Sequence, residues 1–268
     1  MLFSDGASRL VRLSDCLKDS FEALQETTEK TAALMESQRD FMVAAVRKMK
    51  ELLSSSSAVE GTLGMQDTRR ETLLQVCGLQ RRIHAQSLSI ILLCCFTLEA
   101  YINSFSYYLL NEHDLLGLHR DGKKGSAQVL YDAIERLSPK DKWNDVRRLA
   151  AGSKFDASRK PWQDFKILFA FRDDNVHDKV APYPAQAASK RYGGNFPDPV
   201  GGLLDLGHAM YAGRVYWDMV TEIHEVSEIP ASQFHRHYNL RPWPEDSFVE
   251  HARRLVQRYR EAANPVGQ

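Results

Sequence analysis

The chain has 268 residues, of which 43% are apolar and 26% are charged, so it is long enough and apolar enough to bury a full globular core. Its 35 basic and 35 acidic side chains cancel, which excludes a polycation that coats nucleic acid over its whole surface. Four cysteines are too few for a disulfide framework, no uncharged apolar run reaches the roughly 20 residues of a membrane span, and the N-terminus lacks the pattern of a signal peptide, so the sequence predicts a cytoplasmic protein.

The first predicted element is one long amphipathic helix over 1–57. Apolar residues recur at helical spacing from Leu10 to Leu53, and no Pro or Gly interrupts that span. Three threonines break the apolar seam, so the pattern fits either a coiled-coil or oligomerisation arm or one helix of a bundle: Thr27, Thr28 and Thr31. A Ser- and Gly-rich stretch predicts a linker over 58–66.

Six further helices are predicted in the remainder, and no stretch has the period-two alternation of a strand. Ser126 is the predicted cap of one helix, and Pro161 is predicted to open another. We expect 67–229 to form a helical bundle, with 230–268 as a loop and a helix that pack on it. The predicted fold class is therefore all-α, an up-and-down helical bundle with a long N-terminal helix. The six helices are predicted over 67–111, 126–137, 143–151, 162–178, 203–226 and 246–263.

Two opposite charges fall on apolar stripes of two different predicted helices. Arg172 lies on the stripe of Phe165, Leu168 and Phe169, and Glu99 has the corresponding position on the helix over 67–111. An unpaired guanidinium costs several kcal/mol to bury, so this position predicts either a carboxylate partner or a cleft. This pattern is consistent with two alternatives: a structural ion pair between Glu99 and Arg172, or a functional site.

Five residues after Arg172 comes His177, in the run Arg172-Asp173-Asp174-Asn175-Val176-His177. This run resembles the motif of the HEPN family of helical-bundle proteins, whose ribonuclease members carry an Arg, a polar residue, a short spacer and a His near the end of a helix. The stretch Leu98-Glu99-Ala100-Tyr101-Ile102-Asn103 also resembles a segment on an earlier HEPN helix. The resemblance covers roughly 67–229. The family usually has Asn or His where this chain has Asp173, and Asp174 adds a second acid.

The resemblance implies a metal-independent endoribonuclease, with Arg172 and His177 as catalytic residues and Asp173, Glu99 and Asn103 as supporting residues. It implies no metal and no cofactor, RNA as substrate, a homodimer, and a role as a defence or toxin effector with an antitoxin or regulatory protein as a further partner. The residue types suit this chemistry. His177 has a pKa suited to accepting the proton of a 2′-hydroxyl, and the Arg172 guanidinium suits the charge that develops on the phosphorane.

Two further features agree with an RNA substrate. The stretch 119–191 has 16 Lys and Arg against 10 Asp and Glu, so a polyanion should prefer it. Three aromatic residues near the predicted helix and the Pro-rich break that follows it could stack on unpaired bases, although aromatics in such places are more often core: Trp162, Tyr183 and Tyr192.

Other interpretations remain open at the level of sequence. A non-catalytic HEPN-like module for binding or scaffolding would hold Arg172 in a structural ion pair. The dipeptide His177-Asp178 fits an HD-type metal phosphohydrolase, which would need further His and Asp ligands. The spacing His235-x-His237 resembles a metal site only on a strand, and we expect a loop with surface histidines there.

Overall fold

A computed structural model describes residues 2–39, 43, 67–120, 122–176, 197, 203–240 and 246–263. Within these ranges the chain forms eight α-helices and no strand, which confirms the predicted all-α helical bundle. A short π-helical segment, Tyr108–Glu112, continues the second helix. The helices are α1 (Leu2–Ser37), α2 (Asp67–Tyr107), α3 (Lys124–Glu135), α4 (Pro139–Ala151), α5 (Trp162–Val176), α6 (Leu206–Ser227), α7 (Ala231–Tyr238) and α8 (Asp246–Ala263).

The bundle is organised around α2, which packs against α1, α3, α4, α5 and α6. A helix with neighbours on several sides needs apolar residues on several faces, and α2 has them. Its buried side chains belong to the same core as those of α1 and α6, and they include Ile83, Ile90, Ile91, Cys94, Leu98 and Phe105.

The described part of the N-terminal helix belongs to the bundle, since α1 packs against α2, α6 and α8. The threonines that interrupt its apolar seam are compatible with burial. The hydroxyls of Thr28 and Thr31 donate hydrogen bonds to the backbone carbonyls of Leu24 and Thr27, both at 2.7 Å, so these two side chains bury no unsatisfied donor. The rest of the predicted helix, apart from Val43, and the predicted linker lie outside the described residues.

A glycine brings α6 close to α1. A Cβ atom at Gly213 would lie 3.1 Å from Cζ of the buried Phe21 ring, which is tighter than ordinary van der Waals contact. The absence of a side chain at Gly213 therefore sets the distance at which α1 and α6 pack.

Two predicted helix starts and one predicted loop differ most from the structure. The third helix begins at Lys124 rather than at Ser126, and no side chain caps it. The fourth begins at Pro139 rather than at Trp143, because Ser138 accepts a hydrogen bond from the Asp141 backbone N–H and Pro139 suits the first helical position. The region predicted as a loop after residue 230 contains α7, which has one fully buried apolar anchor, Phe234.

Among the described residues, one stretch, Leu74–Glu112, has the length and composition of a membrane-spanning helix. Most of the 18-residue apolar window within this stretch is buried in the bundle, as in the core helix of a soluble protein. The structure is thus compatible with a soluble protein.

Candidate functional site

Charged and polar side chains from three helices meet beside the apolar core. We call this group the α2–α5 polar cluster, and it consists of Glu99 and Asn103 on α2, Lys142 on α4, and Arg172 and Asp173 on α5. Hydrogen bonds join Lys142 to Asn103 and join Arg172 to Glu99 and Asp173, and the charge of Glu99 acts on Lys142. Four of these five residues were predicted from the sequence to belong to one site. These residues are up to 74 positions apart in the chain, and the packing of α4 and α5 on α2 brings them together.

Arg172 is the centre of the cluster. Its Nη1 donates a hydrogen bond to Oε1 of Glu99, while its Nε and Nη2 lie 3.0 and 2.8 Å from Oδ1 of Asp173. The guanidinium carbon also lies 4.7 Å from the centre of the Phe169 ring. Burial alone would lower the pKa of Arg172, but the hydrogen bonds and charges of Asp173 and Glu99 outweigh it and raise the pKa. Arg172 therefore stays charged and has a carboxylate on each side.

Lys142 is the cluster residue that the sequence reasoning missed. It is buried, and its Nζ donates a hydrogen bond of 2.6 Å to Oδ1 of Asn103. Burial lowers the pKa of Lys142, and the negative charges of Glu99 and Glu135 oppose that shift. Lys142 shares the buried side of α4 with Val146, four residues on, so helical periodicity places it on a buried stripe as it does Arg172. Placing the helix start at Trp143 excluded it.

The cluster is open on one side. The exposed fraction of the side chain increases from 17% for Arg172 to 31% for Glu99 and 46% for Asp173. An anion could therefore reach Arg172 from solvent by replacing one of its two carboxylate partners. The planar guanidinium suits the oxygens of a phosphate as well as those of a carboxylate.

The remaining predicted site residues have different outcomes. His177, Tyr183 and Tyr192 lie outside the described residues. Trp162 is only 5% exposed and stacks on Phe155 and Phe165, with ring centres 4.8 and 4.9 Å away. This geometry contradicts base stacking by Trp162, because the indole ring belongs to the core.

Two interpretations of the sequence involve a metal ion: an HD-type phosphohydrolase and a metal site at His235 and His237. Among the residues that the structure describes, no group of three or more His, Cys, Asp or Glu side chains could hold a metal ion. The loop expected at His235 and His237 is wrong, because both residues lie on α7. His237 is exposed as expected, whereas His235 is half-buried against Tyr101.

Tyr101 links two histidines in a buried hydrogen-bond chain that the sequence did not indicate. The carbonyl of Ile229 accepts a hydrogen bond from His224 Nδ1 at 2.9 Å, so in a neutral ring His224 Nε2 is free to accept the hydroxyl of Tyr101. Burial raises the pKa of Tyr101 well above its usual value, which keeps the phenol protonated. The Tyr101 oxygen then accepts a hydrogen bond from Nε2 of His235 at 3.2 Å.

This chain predicts a pH dependence of stability. Burial lowers the pKa of His224 to about 4, whereas a histidine in an unfolded chain titrates near pH ~6.5. Between these values the unfolded chain binds more protons than the folded one. The stabilisation is therefore complete above pH ~6.5 and is lost as the pH falls toward about 4. We expect His224 to lower the free energy of unfolding by about 2 kcal/mol between pH ~7 and pH ~5.

Chemical denaturation at the two pH values measures this loss. The His224→Gln variant should lose about 2 kcal/mol less than the wild type on the same change of pH. His251→Gln is the matched control, because His251 is exposed on α8 and should leave the pH dependence unchanged. Equal pH dependence in the wild type and His224→Gln would contradict the assignment.

Comparison of the chain with protein-family models, with curated proteins and with solved structures finds no match. The resemblance to the HEPN family therefore rests on the sequence alone and stays a prediction.

Proposed function

We propose that the protein is a metal-independent endoribonuclease whose catalytic residues are Arg172, in the α2–α5 polar cluster, and His177. One observation carries the proposal: the residues that carry the resemblance on two separate helices lie in one polar cluster with an open side, namely Glu99 and Asn103 on α2 and Arg172 and Asp173 on α5. His177 follows the described end of α5 by one residue.

In the proposed reaction His177 removes the proton of an RNA 2′-hydroxyl, and O2′ attacks the adjacent phosphorus. The P–O2′ bond forms and the P–O5′ bond breaks, while the departing O5′ takes up a proton from solvent. The products are a 2′,3′-cyclic phosphate and a 5′-hydroxyl. Arg172 stabilises the charge that develops on the phosphorane oxygens, which requires that the phosphate replace a carboxylate beside the guanidinium.

The proposal includes a homodimer in the cytoplasm. On a straight helix Arg172 and His177 differ by about 140° in direction, so two copies of α5 at one cleft would supply complementary groups to one phosphate. The basic stretch 119–191 would bind the RNA backbone. A defence or toxin role, with an antitoxin or regulatory partner, follows from the resemblance alone.

The test is cleavage of a mixed RNA pool in EDTA by the wild type beside His177→Ala, with analysis of the fragment ends. We expect cutting that resists EDTA, leaves cyclic phosphate ends and is lost in the variant. Absence of cutting by well-folded wild type would overturn the proposal, and cutting that EDTA abolishes would indicate a metal phosphohydrolase instead.

Asp173 provides a prediction that separates charge from shape. Asp173→Asn keeps the size of the side chain, removes one negative charge beside the guanidinium and introduces a residue usual in the family. We expect the side chain at position 173 to compete less strongly with the RNA phosphate for Arg172, by about 1 kcal/mol. This change corresponds to a roughly fivefold higher kcat/KM for RNA. Steady-state cleavage assays measure this change.

Asp145→Asn is the matched control for the same change of charge, because Asp145 pairs with Arg148 on α4 outside the cluster. The control should cleave RNA at the wild-type rate. A rate increase of the same size in both variants would mean that only the overall charge matters.

A second candidate function has its own observation. Arg172 already has hydrogen bonds to Glu99 and Asp173, as expected for a structural ion pair in a non-catalytic HEPN-like binding or scaffold module. In that case neither the wild type nor the Glu99→Gln and Asp173→Asn variants would cleave RNA, and the two substitutions would change only the stability.

A further inference from the structure

A cavity of about 370 Å³ lies between α6 and α7 and opens to solvent. Its size falls within the range of small-molecule sites in proteins. Trp217 and Val220 of α6 provide apolar walls, and Ile229 in the turn before α7 provides another. The cavity shares no residue with the α2–α5 polar cluster.

The charges at the cavity have one sign. Glu225 and Glu228 line it and are exposed, whereas no Lys or Arg occurs among its described lining residues. An anionic ligand would therefore meet repulsion, whereas a cationic ligand would find two carboxylates beside an indole side chain.

The hydrogen-bond chain next to the cavity also favours a positively charged ligand. His224 and His235 both line the cavity, and both contact the hydroxyl of Tyr101. His235 Nε2 donates to Tyr101, so Nδ1 of a neutral His235 ring has a lone pair and no hydrogen. Burial lowers the pKa of His235, which favours that neutral ring. The residues that line the cavity thus include two carboxylates and a histidine whose neutral ring has one unprotonated nitrogen.

We propose that the α6–α7 cavity binds a small organic ammonium compound with an apolar body. The body packs against Trp217, Val220 and Ile229, and the ammonium group lies between Glu225 and Glu228, where it can also donate to His235. This site is independent of the proposed ribonuclease activity, and its test uses binding alone.

The experiment compares tryptamine with indole-3-propionate by titration calorimetry on the full-length protein at neutral pH. The two probes have the same ring and similar chains, and they differ in the charge of the end group. We expect tryptamine to bind saturably and the acid to bind roughly tenfold more weakly or not at all. Equal binding of both probes, or binding of neither, would overturn the proposal.

Two variants locate the binding. Glu225→Gln with Glu228→Gln should weaken tryptamine binding roughly fivefold, because two exposed ion pairs are lost. Thr221→Trp should abolish it, because Thr221 is an exposed residue of the cavity wall and the larger ring fills the space. The matched control is Glu29→Gln with Glu71→Gln, two exposed residues of α1 and α2 outside the cavity. Unchanged binding in both cavity variants would refute the site.

Discussion

Replacing Arg172 with alanine is expected to lower the rate of RNA cleavage by roughly 10²- to 10³-fold, the usual effect of removing one group that stabilises charge in a transition state. Arg172→Lys keeps the charge and loses the planar fork, so its rate should lie between those of alanine and the wild type. Single-turnover cleavage of one RNA oligonucleotide in EDTA measures both effects. Thermal denaturation of each variant shows whether the fold is retained.

The fold should survive these substitutions because the partners of Arg172 reach solvent. Glu99 and Asp173 are 31% and 46% exposed, so neither becomes a fully buried unpaired charge when the guanidinium is removed. Arg148→Ala is the matched control, since Arg148 is an exposed arginine of α4 whose ion pair with Asp145 lies outside the cluster. An equal loss of cleavage in Arg148→Ala would assign the effect to general RNA affinity instead of to the site.

The largest expected effect on stability comes from Asp205, which caps the N-terminus of α6. Its Oδ1 accepts the backbone N–H of His208 at 3.2 Å and lies 2.7 Å from the Nδ1 of that ring. Arg260 of α8 binds both carboxylate oxygens, at 2.7 and 3.1 Å. Burial would raise the pKa of Asp205, but the hydrogen bonds from His208 and Arg260 prevail and hold it well below its usual range.

Asp205→Ala removes the cap and leaves the fully buried His208 without its carboxylate. We expect a loss of about 3 kcal/mol in the free energy of unfolding, measured by chemical denaturation followed by circular dichroism. Glu36→Ala is the control, because Glu36 also binds an arginine of α8 through two hydrogen bonds, to Arg258, but at an exposed position. Its loss should stay below about 1 kcal/mol, and equal losses in the two variants would contradict the role of burial.

Much of the α2–α5 polar cluster could be predicted from the sequence because helical periodicity fixes which residues share a face. Glu99 and Arg172 each interrupt an apolar stripe, and their contact follows from the packing of two amphipathic helices. Lys142 is also a charged residue on a buried helix face, but the predicted start of α4 was four residues too late and left Lys142 outside the helix. Periodicity thus finds a buried charge only where the helix boundary is right.

Other features leave no periodic signal. The helix α7 has eight residues and one buried anchor, Phe234, so its pattern is too short to distinguish from a loop. The hydrogen-bond chain joins Tyr101 to His224, which is 123 positions away in the sequence, and to His235, which is 134 positions away. Such contacts depend on how the helices cross, and a single sequence does not give the crossing geometry.

The most direct test of the proposed function compares one single-stranded RNA with the DNA strand of the same sequence, each incubated with the wild-type protein in EDTA. The 2′-hydroxyl is the nucleophile in the proposed reaction, so the RNA should be cut to fragments with 2′,3′-cyclic phosphate ends and the DNA should stay intact. Cleavage of both strands, or of neither, would contradict the ribonuclease function assigned to Arg172 and His177.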